Sequence, residues 1–112
     1  MKKLEIIIKP EKLEDLKGIL ESCQASGIMI SNVMGYGNQK GYKQIYRGTE
    51  YTVNLLPKVK VETVVGEATA EMIIGRVVEQ INTGNYGDGK IFVYEVGDAV
   101  RIRTGERGEE AL

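Results

Sequence analysis

The sequence predicts an α+β domain in the order β-α-β-β-α-β, and three observations carry that reading. Residues 2–9 and 58–65 are short β-branched runs, too brief for comfortable helices. Two other stretches, following Pro10 and spanning Ala70 to Ile81, repeat apolar residues every three or four positions. No solenoid repeat, low-complexity tract or linker divides the 112 residues, so a single domain is expected.

The first strand is Lys2-Lys3-Leu4-Glu5-Ile6-Ile7-Ile8-Lys9, ended by Pro10, which suits a first helical position. Leu13, Leu16, Leu20 and Cys23 form the core stripe of the first helix. Glu11, Glu14 and Asp15 lie in its first turn, where the dipole favours acids, and Ser26-Gly27 is its expected stop. A second strand runs from Ile28 to about Tyr36. Residues 37–56 hold no sustained period and read as a long loop, of the kind that is generally functional.

The third strand, Lys58 to Val65, alternates: Val59, Val61, Thr63 and Val65 on one side, Lys58, Lys60, Glu62 and Val64 on the other. In the second helix Ala70, Ile73, Ile74, Val77, Val78 and Ile81 share a stripe, with Thr83-Gly84 as its C-cap. A glycine loop, Asn85 to Lys90, leads into a fourth strand from Ile91 to Val96. Beyond it Val100-Arg101-Ile102-Arg103 alternates briefly, which on an extended segment points both arginines the same way.

This order is the ferredoxin-like arrangement, a four-stranded antiparallel sheet with both helices on one face. Strands one and four are apolar on both sides, through Ile7, Phe92, Tyr94 and Val96 on the second. The open face is therefore expected to be covered by further copies of the chain.

Composition narrows the chemistry. The chain has no histidine, which excludes Ser-His-Asp and Cys-His catalysis and the usual zinc sites. One cysteine, Cys23, cannot form an internal disulfide and fits a reducing compartment, and no leader or membrane-spanning run is legible. The 42% hydrophobic and 28% charged residues are ordinary for a globular chain, and a net charge of −1 opposes a general nucleic-acid binder. Charge is nonetheless local: Gly35 to Lys58 holds four basic residues and one acid, +3 in all. Three glycines in 84–89 followed by Lys90, with Lys58, Arg101 and Arg103, form a pattern for a polyanionic ligand that is neither a Walker loop nor a Rossmann fingerprint. Glu62 shares its side of the strand with Lys58 and Lys60 and can neutralise them.

Two segments then identify a resemblance. Tyr46-Arg47-Gly48-Thr49-Glu50-Tyr51 and Thr83-Gly84-Asn85-Tyr86-Gly87-Asp88-Gly89-Lys90-Ile91-Phe92-Val93 look like the two signatures of the nitrogen regulatory PII signal-transduction proteins. Lys9-Pro10, Gly35 to Gly41, Leu56-Pro57-Lys58-Val59-Lys60 and Arg101 to Glu106 resemble that family in the same order, over essentially the whole chain. The resemblance implies a homotrimer of single domains (1–112), with a partner-binding loop at 37–56, a phosphate loop at 82–90 and a C-terminal segment at 97–112.

It further implies a non-catalytic, cytoplasmic regulator that senses ATP or ADP and 2-oxoglutarate. Gly87, Asp88, Gly89 and Lys90 would wrap the phosphates, with Arg101 and Arg103 of a neighbouring subunit. Glu62, Val64, Ile7, Met29 and the segment Gly35-Tyr36-Gly37-Asn38 would complete the nucleotide site. Gln39 would ligate Mg²⁺ between ATP and 2-oxoglutarate, Lys58 would pair with a 2-oxoglutarate carboxylate beside Gly87, and Tyr51 matches a nucleotidylylation tyrosine. The implied partners are ammonium transporters, nitrogen-metabolism enzymes or regulators, and a nucleotidyltransferase. Asn38 stands where most members carry arginine, Met29 where threonine is common, and Thr49 where Ala or Ser is usual.

Two other classes share the fold. An RNA-recognition module has the same order and aromatic residues on its sheet, but Gly89 to Tyr94 lies on the last strand and the acidic balance opposes it. A small hydrolase would have to work without histidine or an evident nucleophile.

Overall fold

The fourth strand of the sheet is bound to the first rather than to the third, so chain order and spatial order differ. In the computed structural model β1 (Lys2–Ile8) lies between β5 (Leu56–Val65) and β6 (Lys90–Glu95), and β2 (Ile28–Gly35) pairs with the far side of β5. All three pairings are antiparallel. The structure describes residues 1–36, 42–46, 48–53 and 55–112, and of 42–46 and 49–53 the backbone alone.

Period-two alternation builds the core. Leu4, Ile6 and Ile8 of β1 and Val59, Val61 and Val65 of β5 point to one face and are buried. Against them lie Leu16, Ile19, Leu20 and Cys23 from α1 (Leu13–Ser22) and its cap, and Ala70, Ile73, Val77 and Ile81 from α2 (Glu67–Ile81). Both helices thus cover the same face, and the ferredoxin-like expectation holds. The stripe of α2 is narrower than its sequence reads: Ile74 is half-buried and Val78 is 57% exposed, because the helix turns that flank beyond the sheet.

Both helix stops differ from expectation. A single 3₁₀ turn, Pro10–Lys12, precedes α1, which ends at Ser22 rather than at Ser26-Gly27. The stop is a Schellman closure: the Gln24 amide donates to the Glu21 carbonyl and the Ala25 amide to the Leu20 carbonyl, each at 3.0 Å. Gln24 takes the left-handed position at φ 60°, a place glycine usually fills, so periodicity alone could not mark it. Helix α2 ends through Asn82 in an extended conformation, and the left-handed Gly84 shapes the next turn instead of capping.

Residues 37–56 contain regular structure where a loop is expected. β3 (Tyr42–Tyr46) and β4 (Thr49–Val53) form a separate two-stranded sheet in register from Tyr42↔Val53 to Tyr46↔Thr49. Tyr42, Ile45, Tyr46, Thr49, Tyr51, Thr52 and Val53 all favour strands, and Gly48 supplies the positive φ of 77° that a two-residue hairpin turn requires. The hairpin forms its own sheet, apart from the four-stranded one whose alternation the sequence displays. With this hairpin the molecule measures 61 × 29 × 21 Å, and its radius of gyration is 17.2 Å rather than the roughly 13 Å of a compact chain this long.

The open face also departs from a simple apolar patch. Ile7, Met29, Val64, Phe92 and Tyr94 share it with Lys3, Glu5, Lys60 and Glu62. Glu5 and Glu62 stand directly opposite each other, a repulsive placement. Lys3 and Lys60 offset it at 3.7 and 3.3 Å from the Glu62 carboxylate, and the Tyr94 hydroxyl donates to Glu5, which holds its pKa above the ordinary tyrosine value. Lys3 also stands 5.0 Å over the Tyr94 ring.

Nor does the segment after β6 run extended. Val100 bridges to Arg107, and a turn closed by the Gly105 amide on the Arg101 carbonyl (2.7 Å) occupies the space between. The turn separates Arg101, half-buried, from Arg103, exposed, so the two do not share a face.

Candidate nucleotide site

The loop between α2 and β6 is organised by one carboxylate. Asp88 accepts from the Thr83 amide (2.7 Å), the Thr83 hydroxyl (2.5 Å) and the Gly84 amide (3.0 Å). These donors, the Thr83 hydroxyl foremost, hold the Asp88 carboxyl below the ordinary aspartate range. Its side chain is therefore committed to folding the loop, and the main chain of 87–89 faces the neighbouring cavity. Sequence reading treats Thr83 as a helix cap; its spacing of five from Asp88 is the signal for this brace.

Gly89 fixes the loop against the sheet. Its φ is +112°, and a Cβ there would lie 2.9 Å from the Ile7 carbonyl carbon and 3.2 Å from the Ile8 Cα. Only glycine lets the loop lie this close on β1. Gly35 does the same for a side chain, since a Cβ on it would sit 3.0 Å from Lys58 Cγ. Lys58 thus threads past β2 and donates from Nζ to the Gly87 carbonyl at 3.0 Å. Burial, with Lys9 nearby, lowers the Lys58 pKa from its ordinary value. An incoming anion would relieve that cost.

Around these residues lies a cavity of about 430 Å³, bordered by Ile7, Gly35, Tyr36, Lys58, Gly87 and Lys90 among others. A second, of about 610 Å³, is bordered by Lys3, Met29, Glu62, Val64, Arg101 and Leu112. Both open on the uncovered sheet face, but at opposite ends of it: Ile7 and Lys3 are four residues apart on β1, about 13 Å. Ile7, Gly35, Tyr36 and 87–90 fall to the first of these cavities and Met29, Glu62, Val64 and Arg101 to the second, while Asp88, Gly89 and Lys90 also border a third, of about 380 Å³, against α2. Arg103 borders none of these cavities.

Gly37, Asn38 and Gln39 lie outside the described residues, as does the Tyr51 side chain, although Tyr51 itself is placed on β4 opposite Gln44. Among the described residues no group of three or more His, Cys, Asp or Glu side chains gathers to hold a metal. Sequence reading missed Lys3 and Leu112 at the second cavity, and Glu106 bonded to Arg101 beside it, because nothing in their spacing marks a contact formed by tertiary folding.

Phe92 and Tyr94 occupy the open face among Glu5, Glu62, Lys3 and Lys60, a balance of charges rather than the basic surface a nucleic-acid backbone calls for. Among the described residues no helix is long and apolar enough to cross a membrane.

Comparison with known proteins identifies the family. A nitrogen regulatory protein P-II from Haemophilus influenzae is 50% identical over 112 residues, all of both chains. One from Rhodospirillum rubrum is 49% identical over the same full length. The structure of B. subtilis GlnK superposes with a TM-score of 0.80 at 38% identity, covering 99% of this chain and 97% of that one. A B. subtilis GlnK–ATP complex gives 0.78 at 33% identity, over 99% and 94%. The family model described as nitrogen regulatory protein P-II matches residues 1–106, and this chain belongs to that family.

Proposed function

We propose that this protein is a non-catalytic, cytoplasmic regulator of nitrogen assimilation that binds ATP or ADP between two copies of itself in a homotrimer. The observation that carries the proposal is the division of the nucleotide residues between two cavities at opposite ends of one open face, whose β1 members Lys3 and Ile7 are about 13 Å apart along the strand. One copy would supply Ile7, Gly35, Tyr36 and the 87–90 loop. The next would supply Met29, Glu62, Val64, Arg101 and, from its exposed turn, Arg103. The fold shared with a GlnK solved as an ATP complex supports the choice of nucleotide.

The donor set fits a triphosphate. Main-chain groups of a glycine loop, Lys90 and two arginines can surround phosphate oxygens, and the aliphatic surfaces of Ile7, Met29 and Val64 suit a base. Gln39 would hold Mg²⁺ together with oxygens of ATP and 2-oxoglutarate, and the metal would offset phosphate charge. Lys58 would give up its Gly87 carbonyl for a 2-oxoglutarate carboxylate, a charged acceptor that restores what burial costs it.

Residues 37–56 join Gln39 to Lys58, so ligands at those two positions would bias the segment that partner proteins read. We assign 37–56 to partner binding, 82–90 to phosphate and 97–112 to closing the neighbour's site. The partners would be an ammonium transporter or nitrogen-metabolism enzymes and regulators, with Tyr51 the position open to a nucleotidyltransferase. With Asn38 in place of arginine, one cationic phosphate contact is missing, and the gap between ATP and ADP affinity narrows accordingly.

Calorimetric titration tests this reading. ATP is expected to bind in the micromolar range, with affinity raised by 2-oxoglutarate only when Mg²⁺ is present. An absence of nucleotide binding up to millimolar concentrations would contradict it. So would single-stranded RNA binding with a steep salt dependence.

A further inference from the structure

We infer that Glu106 is a positioning residue for the nucleotide site: together with the main-chain oxygen of Leu112, it sets the direction of Arg101. The inference deepens the nucleotide reading above and rests on it.

Arg101 is held on two nitrogens. One terminal nitrogen donates to the Glu106 carboxylate at 2.7 Å, and the other to the Leu112 oxygen at 3.3 Å. The Glu106 carboxylate is fixed in its turn, accepting from the Thr104 hydroxyl at 2.8 Å while the Glu106 amide donates to that same hydroxyl at 3.2 Å. Main-chain bonds close the unit, the Arg101 amide donating to the Glu106 carbonyl at 2.9 Å. Residues 101–106 therefore form a small ring in which the guanidinium is the oriented member.

Leu112 is brought to Arg101 by two independent anchors. Asp98 accepts from the Arg107 guanidinium and from the Gly108 amide at 3.1 Å. Glu109 lies over Gly66 at the start of α2, its carboxylate oxygen 3.2 Å from where a Gly66 Cβ would be, a favourable place for an acid near a helix N-terminus. Arg101 and Leu112 both border the 610 Å³ cavity.

A guanidinium has five N–H donors, and those that Glu106 and Leu112 leave unused can meet a ligand. An unheld arginine would lose rotamer freedom on binding, a cost this ring has already met in the folded chain. Arg103 contrasts with it: exposed, and without an ion pair among the described residues. Arg101 is the pre-oriented donor of the pair and Arg103 the one ordered by the ligand.

The test compares Glu106→Ala and Glu106→Gln with the unchanged protein, titrating ATP, ADP and adenosine. Glu106→Ala should weaken ATP and ADP binding about tenfold and leave adenosine within about twofold, since adenosine has no phosphate for Arg101 to meet. Glu106→Gln keeps an acceptor at the same reach and should recover most of the loss. Unchanged or tighter ATP binding in Glu106→Ala, with Arg101→Ala still impaired, would overturn the positioning role and leave the nucleotide reading standing. An equal loss for ATP and adenosine would also overturn it, showing a structural role only. No ATP binding by the unchanged protein would instead refute the nucleotide reading itself.

Discussion

Gly89→Ala is expected to lower the stability of the fold by about 3 kcal/mol or more and to abolish nucleotide binding. Two effects add. An alanine forced to positive φ is strained by roughly 1–2 kcal/mol. Its Cβ would also press into the main chain of Ile7 and Ile8 on β1, an inner strand of the sheet, and such overpacking costs about 1–3 kcal/mol. Backbone has no rotamer by which to give way, so β6 must shift from β1 and take Lys90 with it. A fall in melting temperature of roughly 12 °C or more, read by circular dichroism, is the expected result. Gly84→Ala makes the control, because a Cβ there meets nothing within 4 Å and only its φ of +80° is strained. If both variants melt alike, close approach at Gly89 is not what holds the loop.

Lys90→Ala separates binding from folding. Lys90 is exposed at the start of β6, paired in register with Ile7, and contributes charge rather than buried surface. Removing one charge-assisted phosphate contact, worth about 1.5–3 kcal/mol, should weaken ATP binding roughly ten- to hundredfold. Melting temperature and oligomeric state, followed by light scattering, should stay as they are. A variant that binds ATP normally would remove the glycine loop from the phosphate site; one that falls apart into monomers would move Lys90 from ligand binding to assembly.

Much of the fold is written in local pattern. Leu4, Ile6 and Ile8 alternate against Val59, Val61 and Val65, and the stripe from Ala70 to Ile81 keeps its spacing over about three turns, so each element declares which face is buried. What pattern could not declare lies where no core face imposes a period. The 42–53 hairpin pairs with itself, so its strands carry β-propensity without alternation. Gln24 takes a conformation that its side chain does not announce. The turn at 101–106 looks extended because its alternation of Val and Arg is coincidental; Glu106, by closing on Arg101, decides its shape.

The candidate site divides along the same line. Glycine positions and basic residues mark the 84–90 loop in the sequence, since close main-chain approach needs glycine wherever it occurs. Long-range contacts are silent: Lys58 on the Gly87 carbonyl spans 29 positions, and Arg101 on Leu112 depends on how the last residues fold back. Family resemblance supplies the roles proposed for those residues, and the structure places them at two different cavities.

That division is the central claim, and subunit complementation tests it most directly. Lys90→Ala impairs the half-site on one end of the face and Arg101→Ala the half-site on the other. Each variant alone should bind ATP poorly. When the two are co-expressed and assemble together, random assortment should restore an intact site in about one cleft in four, because some clefts draw Lys90 from one chain and Arg101 from its neighbour. Recovery of tight ATP binding at about that stoichiometry is the predicted result. Mixed assemblies that bind no better than either parent would contradict a nucleotide site shared between copies.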